Sequence, residues 1–314
     1  MSLIYLLLLL PLFWLLGKSA NLTTRAIVDM AKLWGLSDLT IGFVILSLAT
    51  SAPELLVGVN SALKGTPDLS FGNLIGANIV LLSFLIGLSA ILNGQIHVKE
   101  NLERKTIYAS TLLILLPVIL ALDGKISRLD GAILIAVYAI YLTIVIIKRR
   151  SLETEITRPF IRHDVRVHKL WQWFAAGIAG LLIGSYLVVF FATNLSSAWN
   201  IAPIIVGFLI LSFGTNLPEI FITVKNRNTE HNHIAFGNVV GSAVVNVLIL
   251  GIVSLISPII IPDLRVLLTS IVFLLIITVC FNIFLRTKNT LSRSEGVTLI
   301  VIYILFIITQ GMNR

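Results

Sequence analysis

Charge is what this 314-residue sequence most lacks. Asp, Glu, Lys and Arg together make up 12% of it, about half the ~25% of an ordinary soluble domain. Hydrophobic residues make up 57%, and the mean hydropathy is +1.00. Together these exclude a water-soluble fold and a disordered chain. Cysteine is nearly absent. A single residue, Cys280, excludes a disulfide framework and a thiolate metal cluster. Histidine is scarce too: His97, His163, His168, His231 and His233 fall in loops or at the ends of apolar runs. No pair of them has metal-ligand spacing inside a run, and no Gly-x-Ser-x-Gly segment occurs. An intramembrane zinc or serine enzyme therefore lacks its parts, and we expect no enzyme here. The net charge of +8 could suggest nucleic acid. In a membrane protein it more often reflects basic residues kept on the cytoplasmic side, so no nucleic-acid partner is expected.

Ten apolar runs are present. They cover about 2–31, 39–64, 69–92, 104–122, 128–147, 170–195, 201–224, 233–257, 264–285 and 295–311. Each approaches the ~20 residues that span a bilayer, and little length remains for a domain outside it. The run from Leu3 to Leu16 has no basic segment before it and no small-residue cleavage site. We read it as a retained helix rather than a signal peptide. With the N-terminus outside, sixteen Lys and Arg fall in cytoplasmic connections. Five fall outside: Lys64, Lys125, Arg128, Arg265 and Arg314. That imbalance predicts a plasma-membrane protein with both termini outside. The one long polar stretch, 148–169, reads as a cytoplasmic linker that can also meet anionic lipid.

The sequence repeats itself. Residues 42–54, GFVILSLATSAPE, align without gaps with 207–219, GFLILSFGTNLPE, at an offset of 165, and eight of the thirteen positions are identical. The same offset aligns Phe71-Gly72-Asn73 and Gly76 with Phe236-Gly237-Asn238 and Gly241, and Trp34 with Trp199. We expect a first repeat over 1–147, the linker over 148–169 and a second repeat over 170–314. Five helices is an odd number, so the second copy enters the membrane from the opposite side. The expected fold is an all-α membrane protein of ten transmembrane helices, arranged as two inverted five-helix repeats. Secondary transporters use this plan and bind substrate near the midplane between the repeats; a channel could share it.

Thirteen of the fifteen Asp and Glu residues lie in loops or near run ends. Glu54 and Glu219 do not. They lie within matched apolar runs at equivalent repeat positions, where a charged carboxylate costs at least ~2.5 kcal/mol. Each ends a Thr-x-x-Pro-Glu segment. Thr50 and Glu54 are four residues apart and share a helix face, with Ser51 beside them; Thr215, Asn216 and Glu219 repeat the arrangement. Pro53 and Pro218 have no N–H for the carbonyls of Ala49 and Gly214. Unpaired carbonyls at membrane depth are tolerated around a cavity or an ion. Carboxylate, hydroxyl, amide and carbonyl oxygens together suit a hard cation such as calcium. Two carboxylates neutralise one divalent ion, so calcium, several sodium ions or protons could compete for one site. Ser242 and Asn246 are four apart on the eighth run and could face that site together. Gly72, Gly76, Gly237 and Gly241 offer small faces for close helix approach. Asn73 and Asn238 read as structural hydrogen-bonders.

Residues 42–82 and 207–247 resemble the alpha repeats of the cation/calcium exchanger superfamily, especially its prokaryotic sodium/calcium exchangers. The Thr-Ser-x-Pro-Glu and Gly-Asn-x-x-Gly segments carry the likeness. The resemblance implies a calcium site between Glu54 and Glu219, with Thr50 and Thr215 contributing. It also implies flanking sodium sites and backbone carbonyl ligands from Ser47 and Ser212. Helices one and six are expected to slide across the rest during alternating access. The expected activity is calcium-for-sodium antiport through the lipid bilayer, with no resident cofactor. Departures from the family pattern are Ala49 for glycine, Asn216 and Ala77 for serine, and Leu81 and Asn246 where Asn or Asp is common. They retain the calcium-like centre more fully than the sodium sites. Proton-coupled divalent exchange on the same glutamates, or an exchanger-like protein that does not transport, is the alternative.

Overall fold

The computed structural model describes residues 2–34, 45–97, 104–152, 167–225, 232–261, 263–286 and 290–312. Most of the 148–169 linker, the repeat positions 42–44, and His163 and His231 lie outside the described residues.

Eight helices are long and apolar enough to cross a membrane. They are α1 (Ser2–Leu33), the continuous helix from α4 (Pro67–Ile79) through a π-helical turn (Val80–Leu85) to α5 (Ile86–Asn93), α6 (Arg104–Leu120), α7 (Arg128–Leu152), α8 (Val167–Trp199), α12 (Asn232–Ile256), α13 (Leu264–Arg286) and α14 (Arg293–Met312). The chain is thus an all-helical membrane protein. Leucine, isoleucine, valine and phenylalanine side chains stand exposed along the outer faces of these helices, as lipid contact requires.

The remaining two predicted runs are not single helices. One consists of α2 (Leu46–Thr50) and α3 (Ala52–Leu63), separated at Ser51. The other consists of α9 (Pro203–Val206), a π-helical turn (Gly207–Leu211), α10 (Ser212–Thr215) and α11 (Leu217–Lys225), with the last two separated at Asn216. Ser51 and Asn216 are repeat-equivalent. Both leave helical geometry in the same way, with φ/ψ of −83°/9° and −87°/4°. Pro53 and Pro218 are the physical cause. A proline cannot take the hydrogen bond that would continue the helix, but it fits the first turn of a new one. The sequence reading anticipated a loosened helix, and the structure has a one-residue interruption in each, across which Ser51 N still donates to the Ser47 carbonyl, Leu55 N to the Ser51 carbonyl and Ile220 N to the Asn216 carbonyl.

Four short strands were not anticipated. β1 (Gln95–His97) pairs with β4 (Thr290–Ser292), and β2 (Lys125–Ile126) pairs with β3 (Ile259–Ile260), both antiparallel. Each pair ties a loop of the first half to a loop of the second.

The α4–α5 helix and α12 form the centre. Buried residues make up 83% and 78% of their apolar windows, against 28–39% for the other spans. The two long helices α1 and α8 pack along each other to one side. Glycines on α8 make this possible: a Cβ at Gly177 would lie 2.3 Å from Thr23 Oγ1, and one at Gly180 would lie 2.2 Å from Ser19 Oγ. The predicted small faces are only partly realised. A Cβ at Gly72 would lie 2.1 Å from the Ile204 carbonyl oxygen, and one at Gly76 would lie 2.8 Å from Ser212 Cβ. Gly237 does not repeat this: no described residue lies within 4 Å of the position its Cβ would take.

Candidate cation site

The two helix breaks create the site. Glu54 and Glu219 lie in the first turns of α3 and α11. The N-terminus of a helix carries unpaired N–H groups and partial positive charge, which favours an anion there. Thr50 and Thr215 end the preceding half-helices, where the chain presents carbonyl oxygens. The carboxylates are 2% and 3% exposed. They are close enough for their charges to interact, and the Thr215 side chain lies against Glu54.

All ten residues singled out as candidate ligands are buried: Ser47, Thr50, Ser51, Glu54, Ser212, Thr215, Asn216, Glu219, Ser242 and Asn246. Two threonines link the halves. Thr50 Oγ1 lies 3.5 Å from Asn238 Oδ1, and Thr215 Oγ1 lies 3.3 Å from Asn73 Oδ1. A shift of 165 residues converts each contact into the other. Asn73 and Asn238 are hydrogen-bonders, as expected, and the groups they hold are the site threonines. Ser242 Oγ also reaches Thr50 Oγ1, at 3.3 Å. Position 77, its repeat equivalent, is the fully buried Ala77.

Other candidates face the backbone. Asn216 Nδ2 donates to the Ser212 carbonyl at 2.7 Å, so that amide nitrogen braces the break. The Ser47 carbonyl accepts from Ser51 N at 3.1 Å and from Thr50 Oγ1 at 3.3 Å. The Ser212 hydroxyl donates to the Phe208 carbonyl at 2.5 Å.

Several buried acceptors have no donor. Glu54 Oε2, Glu219 Oε2, Asn246 Oδ1 and Ser47 Oγ are buried without a hydrogen-bond partner. Leaving buried polar atoms unmatched is costly, and a carboxylate oxygen most of all. Among the described residues no third His, Cys, Asp or Glu joins the pair to form a larger ligand cluster. No buried Lys, Arg or His is among them either. What these oxygens can accept is a cation or a proton.

One residue escaped the sequence reading. Asn78 on α4 is 1% exposed and accepts 2.8 Å from Asn246 Nδ2. Comparing the repeats hides it, because its equivalent is Ala243. The only signal was a polar residue within an otherwise apolar stretch.

An apolar helical shell around a buried acidic pair, with helices broken on either side, defines a membrane protein with a polar centre suited to cations. The model of the family described as sodium/calcium exchanger protein matches residues 3–147 and 169–312. The chain belongs to that family, a family of cation exchangers, and within it to the prokaryotic type. Its relatives include the sodium/calcium exchanger MaX1 of Methanosarcina acetivorans, 24% identical over 97% of both chains. The putative antiporter CaxA of Alkalimonas amylolytica is 27% identical over 78% of both chains. Among solved structures, the sodium-calcium exchanger NCX_Mj soaked with sodium and strontium superposes with a TM-score of 0.67. It is 26% identical and covers 98% of this chain and 97% of its own.

Proposed function

We propose that this protein is a secondary active antiporter of the plasma membrane that exchanges calcium for sodium, binding the ions between Glu54 and Glu219. The observation that carries this reading is the pair of buried carboxylates, each with an oxygen that lacks a donor, and no buried basic residue among the described residues to neutralise them. A divalent cation supplies that neutralisation. Oxygen-only ligation by carboxylates, the Thr50 and Thr215 hydroxyls and the carbonyls of Ser47 and Ser212 fits calcium. Ser51, Asn216, Ser242 and Asn246 complete the surrounding polar wall. The relatives are described as exchanging sodium and calcium or as antiporters, which points the same way.

Alternating access follows from an arrangement of ten membrane crossings, with the two broken helices each crossing once. Two inverted five-helix repeats, 1–147 and 170–314, joined by the linker 148–169, account for the exchange of contacts under a shift of 165. Thr50–Asn238 and Thr215–Asn73 are one such pair. The close approaches Gly87–Gly296 and Gly131–Gly251 are another, within one residue. The family match divides at the same linker. Both termini then lie outside, as the distribution of Lys and Arg predicts.

Proton-coupled exchange on the same glutamates is the second reading. Ala77 and Leu81, 0% and 1% exposed, place carbon where a sodium ion would need oxygen. Calcium uptake into vesicles carrying the purified protein separates the two, first under a sodium gradient and then under a pH gradient. Uptake under the sodium gradient supports sodium coupling; uptake under the pH gradient alone transfers the assignment to protons. Calcium that moves under neither gradient, with the protein folded, refutes both.

A further inference from the structure

Glu54 and Glu219 are 2% and 3% exposed, so packed elements must separate before a cation can reach them. The packing singles out α1 and α8. They lie together to one side of the centre, and both touch the interrupted helices. α1 rests on the second of these through carbon alone. A Cβ on Gly214 would lie 2.3 Å from the Phe13 ring, and one on Gly17 would lie 3.3 Å from Pro218 Cγ.

α8 is held differently. Polar side chains tie it to α3, the half-helix that carries Glu54, at the opposite end of that helix. Asn60 Nδ2 donates to Ser185 Oγ at 2.9 Å, and Ser185 is fully buried. Four residues on, Lys64 caps α3. Its ammonium lies 3.9 Å from the centre of the Tyr186 ring and 5.2 Å from that of Phe190, and it donates to the Tyr186 carbonyl at 3.3 Å. Between this tie and Glu54, the α3 residues Val57, Gly58 and Ser61 are buried. α3 and α8 are therefore closed against each other along this end.

The tie belongs to one end of the molecule. The repeat equivalents of Ser185 and Tyr186 are Ala20 and Asn21. Alanine has no hydroxyl to accept a hydrogen bond and asparagine has no ring, so neither contact can form in the same way there. Both contacts are also weak enough to release thermally. A neutral hydrogen bond and a partly exposed cation–π contact each bias a two-state equilibrium by roughly two- to tenfold.

We propose that Asn60 and Lys64, seated on Ser185 and Tyr186, form a latch that closes the acidic centre at the Lys64 end and must release for a cation to pass there. The inference rests on Glu54 and Glu219 being the exchange site. Ser185 Oγ already donates to the Leu182 carbonyl at 3.1 Å. Removing the Asn60 amide therefore opens the latch without stranding the Ser185 hydroxyl proton.

The test is calcium–calcium exchange across sealed vesicles, read with radioactive calcium, which needs no counter-ion gradient. Half-saturating calcium is measured at each face. Apparent affinity at a face scales with the fraction of protein open to it, so the ratio of the two values reports the latch equilibrium. Asn60→Ala and Lys64→Met should each lower the half-saturating concentration at the Lys64 face relative to the other face, changing the ratio by about two- to tenfold. A contact that only stabilises the fold would move both faces together. An unchanged ratio in variants that still exchange calcium overturns the latch. A second measurement does not depend on those variants. In a Cys280→Ala background, Asn60→Cys and Ser185→Cys are joined by a short bis-methanethiosulfonate and released with dithiothreitol. The linked protein should lose exchange and regain it on reduction. Full exchange by protein whose link is verified by mass, or a pair of thiols that does not link, overturns the proposal. Absence of calcium exchange in the unmodified protein instead overturns the calcium reading of the site, and the latch with it.

Discussion

Replacing Glu54 by Gln removes one negative charge and almost no volume. The effect can be worked from the site. At a separation of ~4 Å and an effective dielectric of ~20, one unit charge pair is worth about 4 kcal/mol, and a divalent ion doubles it. The Gln amide oxygen remains a neutral ligand and recovers part of that loss. The ion-free protein also changes: Glu219 no longer faces a like charge, so the empty site is relieved. That relief widens the gap between the two states. We therefore expect a loss of at least ~4 kcal/mol in calcium binding, or about a thousand-fold in affinity. Thermal unfolding in detergent reads it directly. Calcium at a hundred times the wild-type Kd stabilises by about 2.7 kcal/mol, whereas the variant gains less than ~0.1 kcal/mol at the same concentration. With a few degrees per kcal/mol, the wild-type midpoint should rise by roughly 5–10 °C and the variant's by almost nothing. Glu219→Gln should behave alike. A Glu54→Gln protein that keeps the calcium-induced rise would refute the assignment of the acidic pair.

Three further outcomes are expected. Gly72→Ala pushes a methyl to 2.1 Å from the Ile204 carbonyl oxygen, and should cost about 1–3 kcal/mol by overpacking. Gly237→Ala, with no described neighbour within 4 Å, should leave the unfolding midpoint nearly unchanged; equal destabilisation by both would contradict the packing described. A double-mutant cycle on Asn78→Ala and Asn246→Ala should show a coupling of roughly 0.5–1.5 kcal/mol in unfolding free energy, and strict additivity would mean the 2.8 Å hydrogen bond is not made. Gly177→Val places bulk against Thr23 and the Ser19 carbonyl, which should separate α1 from α8 and lower both the unfolding midpoint and calcium flux; full retention of both would exclude close pairing of these helices.

The sequence alone determined the apolar spans, the duplication and the acidic pair. These are legible because lipid exposure imposes long apolar runs, and because a duplicated segment preserves residue identity at constant offset. Glu54 and Glu219 stand out because a carboxylate within an apolar run has a known cost. Tertiary structure decided the rest. Whether Pro53 and Pro218 bend a helix or end it depends on whether neighbouring groups satisfy the backbone at Ser51 and Asn216. Whether glycine permits close approach depends on what faces it: Gly72 meets the Ile204 carbonyl of the facing helix, whereas its counterpart Gly237 meets no described residue. Asn78 was invisible because its significance lies in Asn246, a residue 168 positions away that folding alone places at hydrogen-bond distance. Local chemistry is written along the chain, but a contact between distant residues is set only when helices from the two halves pack together.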